Sequence, residues 1–299
     1  MVVYLDQNKW IELARMLHGR DATPRAKRIL REFEVSRQGV HVTFPLSSVH
    51  YIEISRVSNV GRKVRLGEAM WHFSRGVTLA AYPTVVRHEL EVALAKHLPQ
   101  VTPGALSVLG QGHTHAFGGP PLRGVLAAFA EDVERSILTG DPRLGLPPPA
   151  FTGTTHRENF MQHLATLHQK YYDEPKELRE NWLYAMSTVD ILNPFNAVAA
   201  KHNLDVAAVL KGLGEAGLKQ VIDDMPTRQV DMHLHREVLK NKSYVARASD
   251  LEDWGGLTVA SCYCDVVVCE KHMANMLQRN SFTTKARICT DLEGALNAA

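Results

Sequence analysis

The chain reads as an α/β protein whose parallel sheet is built from its two ends, with a mainly helical middle between them. Three observations lead there. Residues 2–5, Val-Val-Tyr-Leu, form a short β-prone run that stops at Asp6-Gln7-Asn8, after which Trp10, Leu13, Ala14 and Leu17 recur at helical spacing. Near the other end, Val266-Val267-Val268-Cys269 is apolar without alternation, as a strand covered on both faces should be. Between them, residues 156–241 carry helical periodicity punctuated by Pro175, Pro194 and Pro226.

The elements follow in order. The opening residues meet an acid at Asp6 and lack the basic start and long apolar run of a secretory leader, so they read as a buried first strand. A second helix is expected over 24–37 and a second strand over 40–44. Pro45 and Ser47-Ser48 then open a third helix, serine being a good N-cap, with Val49, Ile52 and Val57 toward a core. This β-α-α-β-α order opens a parallel sheet. Residues 59–77 read as a basic helix, 84–98 as another, and 101–121 as a Gly/Pro/His-rich loop. A helix over 122–138 leads into a Pro-rich linker at 140–149. At the far end come a helix over 254–263, the Val-rich strand, a helix over 272–278, a last strand over 286–290 and a short terminal helix. Residues 1–98 and 227–299 therefore read as one discontinuous α/β core, and 99–226 as a helical insertion or cap. No repeat at solenoid spacing is present.

Composition bounds the function. With 299 residues, 45% hydrophobic and 22% charged, the chain is neither disordered nor of low complexity. Lys plus Arg is 34 against 32 for Asp plus Glu, so any basic patch must be local. No apolar run approaches the ~18 residues of a membrane span, so no membrane partner is expected. Four cysteines in a chain this long make no disulfide framework, and a reduced, cytoplasmic protein is expected.

The acids fall at telling places. Asp6 follows the first strand and Glu270 follows the Val-rich one, and the carboxyl ends of parallel strands converge on one edge, where ligands bind. Glu53 lies on the helix after the second strand. Asp250 and Asp253, three apart, open the helix before the Val-rich strand. Carboxylates gathered without matching cations repel, and a hard dication, Mg²⁺ or Mn²⁺, relieves that repulsion through oxygen ligands. Such a site suits phosphodiester cleavage.

These positions carry a resemblance. Asp6-Gln7-Asn8 after a short hydrophobic strand resembles the Asp-x-Asn opening of PIN-domain nucleases. Residues 42–53, with Pro45-Leu46-Ser47-Ser48 ahead of Glu53, are similar to their second motif, and 250–270 resembles the third and fourth. The match covers 1–56 and 244–292, roughly a third of the chain. It implies a PIN-like parallel sheet flanked by helices, and a Mg²⁺- or Mn²⁺-dependent endoribonuclease with Asp6, Glu53, Asp253 and Glu270 as its acidic quartet. Asp250 competes with Asp253 for the third position. In toxin members of the family RNA, often tRNA, is the target, so the implied partner is tRNA or another structured RNA, in a toxin or defence role. A regulatory protein or antitoxin and a homodimer are left open. The helical insertion is far longer than in small toxin members, and Glu stands at 270 where many relatives carry Asp or Asn.

Substrate contacts are expected around the acids. Asn8 would orient Asp6 or the substrate, and Ser48 and His50 lie just ahead of Glu53. Arg56, Arg62, Lys63, Arg65 and Arg75 leave Glu53 on the chain, and Lys271 adjoins Glu270, all offering phosphate contacts. Other constellations read as structural. Cys262, Cys264 and Cys269 lack zinc-ribbon spacing and read as buried thiols. His113, His115, His233 and His235 read as polar surface, and Tyr171, Tyr172 and Trp182 as packing more than base stacking. The glycines at 212, 214 and 217 follow a helix, the wrong context for a phosphate loop. Asp265 starts its strand, at the opposite edge. Two other functions use the same residues: a structure-selective DNA nuclease, and a non-catalytic RNA- or protein-binding module with a degenerate site.

Overall fold

In the computed structural model, which describes residues 1–39, 42–140, 154–247 and 250–296, the two ends of the chain meet in one parallel sheet. β1 (Val3–Leu5) pairs with β4 (Val266–Val268), Val3 opposite Val266 and Leu5 opposite Val268, and β4 pairs with β5 (Arg287–Cys289). Every residue of β1 and β4 is buried, which explains why neither strand alternates.

α1 (Gln7–Leu17) starts directly after β1 because Asp6 caps it, Oδ1 accepting the Gln7 N–H at 2.8 Å. Trp10, Leu13 and Ala14 enter a first core with Ile29 and Phe33 of α2 (Pro24–Gln38), which follows the Thr23 cap and a proline at its first position. α3 (Ser48–Ser55) and α4 (Val60–Ser74) complete that core through Ile54, Leu66 and Met70.

The expected strand over 40–44 is not formed among the described residues; residues 40–41 lie outside them. The chain instead passes between two sheets, Thr43 bridging Val2 and Leu46 bridging Thr78, with Pro45 supplying no N–H between them. The second sheet is β2 (Val77–Leu79) antiparallel to β3 (Leu109–Gln111), and α6 (Gly112–Ala116) follows. Residues 101–121 are therefore not all loop. The pairing joins segments some thirty residues apart, and β3 carries Gly110, where the His115 ring occupies the space a side chain would need, so β3 has no local apolar signal.

The helix expected over 122–138 is two, α7 (Val125–Ala128) and α8 (Ala130–Thr139), broken at Phe129. Beyond Gly140 the expected linker lies outside the described residues. After α5 (Tyr82–Ala95), the helical middle comprises α9 (Thr154–Tyr171), α10 (Lys176–Lys201), α11 (Val206–Asp223) and α12 (Pro226–Lys240). Pro175 and Pro226 stand at helix starts, but Pro194 sits inside α10 without ending it. The buried face around it, Ile191, Phe195 and Val198, is held in a third core with Leu90 and Leu94 of α5. α12 is buried on two sides: Val230, Leu234 and Val238 join the second core beneath the sheet, Met232 and Leu239 the third. Among the described residues no helix is long and apolar enough to cross a membrane.

α13 (Asp250–Tyr263) packs on the sheet through Leu257 and Ala260, and α14 (Lys271–Gln278) and α15 (Leu292–Leu296) close the chain. Gly256 lets α13 approach β1, because a β-carbon there would overlap the hydroxyl of fully buried Tyr4. Gly256→Ala is expected to destabilise the protein by about 2 kcal/mol through this overpacking, read as a lower urea midpoint at unchanged slope.

A carboxylate cluster at the strand ends as candidate active site

β1 and β4 are adjacent and parallel, so the residues just past them share an edge. Asp6 follows β1, and its N–H donates to the Val268 carbonyl at 2.9 Å. Glu270 caps α14, and its N–H donates to the Asp6 carboxylate. The Asn8 amide donates to the Glu270 carboxylate. Asp6, Asn8 and Glu270 are thus tied together by the strand pairing itself.

Glu53 is brought to the same edge by His50. The Ser47 N–H donates to His50 Nδ1 at 2.8 Å, which leaves the proton on Nε2 to donate to the Leu5 carbonyl at 2.9 Å. Leu5 is the last residue of β1, so this ring hangs α3 from the strand that ends at Asp6. His50 is wholly buried, and burial pushes its pKa down to about 4. It is a neutral strut that positions Glu53, and it does not face substrate. Asp253 arrives from the first turn of α13, whose Gly255 and Gly256 permit close packing against Val49 and Tyr4.

The four acids share one electrostatic field. Burial, then the charges of Asp6, Asp253 and Glu252, push Glu53 up to about 8. Burial, then Asp6 and Glu270, push Asp253 up to about 7. Asp6 rises to about 6, mainly by burial with a contribution from Glu270, against the Gln7 N–H and Lys9. Each of the three is far more easily protonated than an ordinary carboxyl.

Of the cations near the acids, Arg56, Arg157 and Lys63 are already engaged. Glu252 is buried between Arg56 Nη1 at 2.5 Å and Arg157 Nε at 2.6 Å. Arg56, expected at substrate, is therefore committed to the fold. Lys63 is likewise buried, donating to the Ser55 carbonyl at the end of α3 at 3.0 Å. Asp250 accepts from the Tyr244 hydroxyl at 2.5 Å and the Arg247 N–H at 2.8 Å, which fixes the start of α13. Ser48 is half-buried on the first turn of α3, and Arg62 and Lys271 are exposed. Glu252 and Arg157 were not singled out in the sequence. Glu252 had a signal, an acid beside Asp253 on a helix of small and apolar residues; Arg157, nearly a hundred residues away, had none.

The donor chemistry, three carboxyl groups each raised by burial and by acids at the same edge, suits a hard cation. Glu252 Oε2 and Gln7 Oε1, both buried, also lack a hydrogen-bond partner among the described residues. Yet among those residues no group of three or more His, Cys, Asp or Glu side chains is set to hold a metal ion. The acids form an electrostatic cluster and not a finished coordination sphere.

The remaining candidates are structural. His233 and His235 are buried, contrary to the surface expectation: His233 Nε2 donates to the Met276 carbonyl at 2.8 Å, and His235 stands 3.4 Å from Asp231. His113 pairs with Glu134 at 2.5 Å, and His115 bonds Thr78. Tyr171 packs on Trp182 beside the third core. Cys264 and Cys269 are buried free thiols, Cys262 and Cys289 half-buried ones. Gly214 kinks α11 at φ 60°. Asp265 accepts from the Val2 N–H at 2.7 Å at the opposite edge.

Fold and site together define an α/β protein with a cluster of acids at the carboxyl ends of two parallel strands. Comparison of the chain with protein-family models, curated proteins and solved structures finds no match.

Proposed function

We propose that the chain is a metal-dependent endoribonuclease of PIN-like type, cutting RNA at the edge where β1 and β4 end. The observation that carries this reading is the shared field of Asp6, Glu53 and Asp253, each raised by burial and by the charge of other acids at that edge. Asp6 and Glu270 also cap helices, but Glu53 and Asp253 make no side-chain hydrogen bond among the described residues, and their charges beside Asp6 repel unless a cation joins them. Asp6, Glu53 and Asp253 would hold Mg²⁺ or Mn²⁺, with Glu270 as a further ligand or a support through Asn8. The ion would supply Lewis acidity and an activated water. Asn8 fixes the Glu270 carboxylate, and His50 fixes α3 against β1. Lys271, exposed and next to Glu270, and half-buried Ser48 on the first turn of α3 would meet phosphate oxygens.

Purified protein incubated with total RNA in Mn²⁺, Mg²⁺ or EDTA tests the reading. Discrete fragments that require the cation are expected, with tRNA the first product to sequence. A second reading, binding without cutting, draws on the unfinished coordination geometry. RNA intact in every condition, with retention of RNA on the protein, would replace the nuclease by that module, whereas cleavage of DNA alone would move the same site to a DNA substrate.

A further inference from the structure

A cavity of about 610 Å³ opens between α1 and α4, lined by Arg15, Arg20, Asn59, Arg62 and Arg65 over an apolar floor that includes Leu66. Several other arginines pair with acids, Arg25 and Arg28 with Glu293 and Arg236 with Glu180, and Arg75 and Arg179 bond carbonyls. Among the described residues Arg15, Arg20, Arg62 and Arg65 make no ion pair. Arg15, Arg20 and Arg62 are exposed and Arg65 half-buried, so water screens their repulsion, but four guanidiniums lining one cavity set a local positive potential that favours an anion.

The helix geometry makes the imbalance worse. Asn59 caps α4, its Oδ1 accepting the Arg62 N–H at 2.8 Å, and no acid stands in the first turn. The Arg65 guanidinium lies over that turn, 3.4 Å from where a β-carbon on Gly61 would stand. Arg62 and Arg65 thus add positive charge to the positive end of a fifteen-residue helix, where a cation is disfavoured and an anion favoured. The arrangement is held in place: the His18 ring, just past α1, bonds the Arg65 carbonyl at 3.0 Å. Forked guanidiniums above a helix N-terminus match phosphate oxygens.

The cavity also aligns with the acidic edge. Asn8, Ile11 and Arg15 follow one another at i, i+3 and i+7 on one face of α1, so Arg15 lies about 10 Å along the helix from Asn8. That distance is about three stacked nucleotides of one strand. A chain of phosphates reaches both places, and a single small anion does not.

We propose that this arginine cavity is a phosphate site that grips the backbone of an RNA strand a few nucleotides from the carboxylate edge. The preference for phosphate stands on the cavity alone; the position of the strand rests on the nuclease reading. Of the basic residues expected to meet phosphate, Arg62 and Arg65 line this cavity, joined by Arg15 and Arg20 of the α1 side, while Arg56 and Lys63 are taken up by the fold.

The test measures binding of a labelled single-stranded RNA to the full chain in EDTA, across a salt series, for the wild type, Arg62→Gln/Arg65→Gln and Arg15→Gln/Arg20→Gln. Each double variant is expected to bind about tenfold more weakly and to lower the slope of log affinity against log salt by about one to two. Circular dichroism confirms that each variant is folded. Unchanged affinity and slope in both folded variants would overturn the proposal. So would RNA binding that is unaffected while inorganic triphosphate stabilises only the wild type, which would make the cavity a small-anion site. Cleavage of total RNA with Mn²⁺, run in parallel, separates the two readings. Weakened binding without cleavage by the wild type leaves the arginine site and removes the nuclease. Wild-type cleavage with undiminished binding by the variants does the reverse.

Discussion

Asp253→Asn is expected to lower metal-dependent RNA cleavage on the order of a hundredfold or more, because it removes a charged ligand from a set with few to spare. A second readout avoids activity altogether. Mn²⁺ should raise the melting temperature of the wild type by mass action and leave that of the variant nearly unchanged. In EDTA the order reverses: the variant should melt above the wild type, since a carboxylate raised to about 7 by burial and by Asp6 and Glu270 becomes a neutral amide. Asp265→Asn is the control. It has the same chemistry at the opposite edge of the sheet, bonded to Val2, and should not touch the Mn²⁺ response. If both variants lose that response alike, the strand-end site is wrong.

The same acids make stability depend on pH in an unusual direction. Glu53 and Asp253 titrate near 8 and 7 in the fold and near 4 in the unfolded chain. Between those values the folded state binds more protons, so stability falls as pH rises through that range and levels off above about 8. Buried His50 works oppositely. Its folded pKa of about 4 lies below the ordinary 6.5, so its contribution is lost as pH falls below 6.5. Between 6.5 and 8 that opposing contribution fades, as does the same one from His163, His233 and His272, whose burial also lowers their pKa, and the carboxylates dominate. EDTA-treated protein should lose about 1–2 kcal/mol across that interval in urea titrations, allowing for partial solvent screening. Glu53→Gln should flatten most of that slope. Saturating Mn²⁺ should abolish it, because ligation keeps the acids deprotonated, and apparent Mn²⁺ affinity should climb over the same interval. Stability that rises between 6.5 and 8 in EDTA would mean the acids are not coupled.

Features written locally were legible in the sequence, and features created by distant contacts were not. Asp6 and Glu270 could be placed because each ends an unbroken apolar run, and two such runs in a parallel sheet fix their own edge. α2 could be bounded because Thr23, Pro24 and a regular apolar face say the same thing. The strand over 40–44 shortens, among the described residues, to one parallel bridge from Thr43 to Val2, because past Pro45 the chain leaves that sheet and Leu46 bonds the other. β2 and β3 are three residues each and draw their order from one another. His50 carried no mark distinguishing a strut from a substrate contact, since the Leu5 carbonyl that decides the matter is forty-five residues away. His233 and His235 read as surface because a polar side chain at helical spacing looks solvated until its acceptor, on Met276 or Asp231, is known. Arg15 and Arg65 likewise meet only when α1 lies along α4.

α12 has consequences for how this protein can be taken apart. A helix with apolar residues committed to two separate interiors has no side on which a boundary can be cut. Excising the helical middle would strip one flank of α12 bare, and excising the sheet would strip the other. Met232 and Leu239 face one neighbour and Leu234 and Val238 the other within a few turns of the same rod, so loosening either interior is felt by its counterpart. The smallest heritable piece of this architecture is then close to the whole chain: a shortened form would have to replace a shared wall, and not merely close a loop.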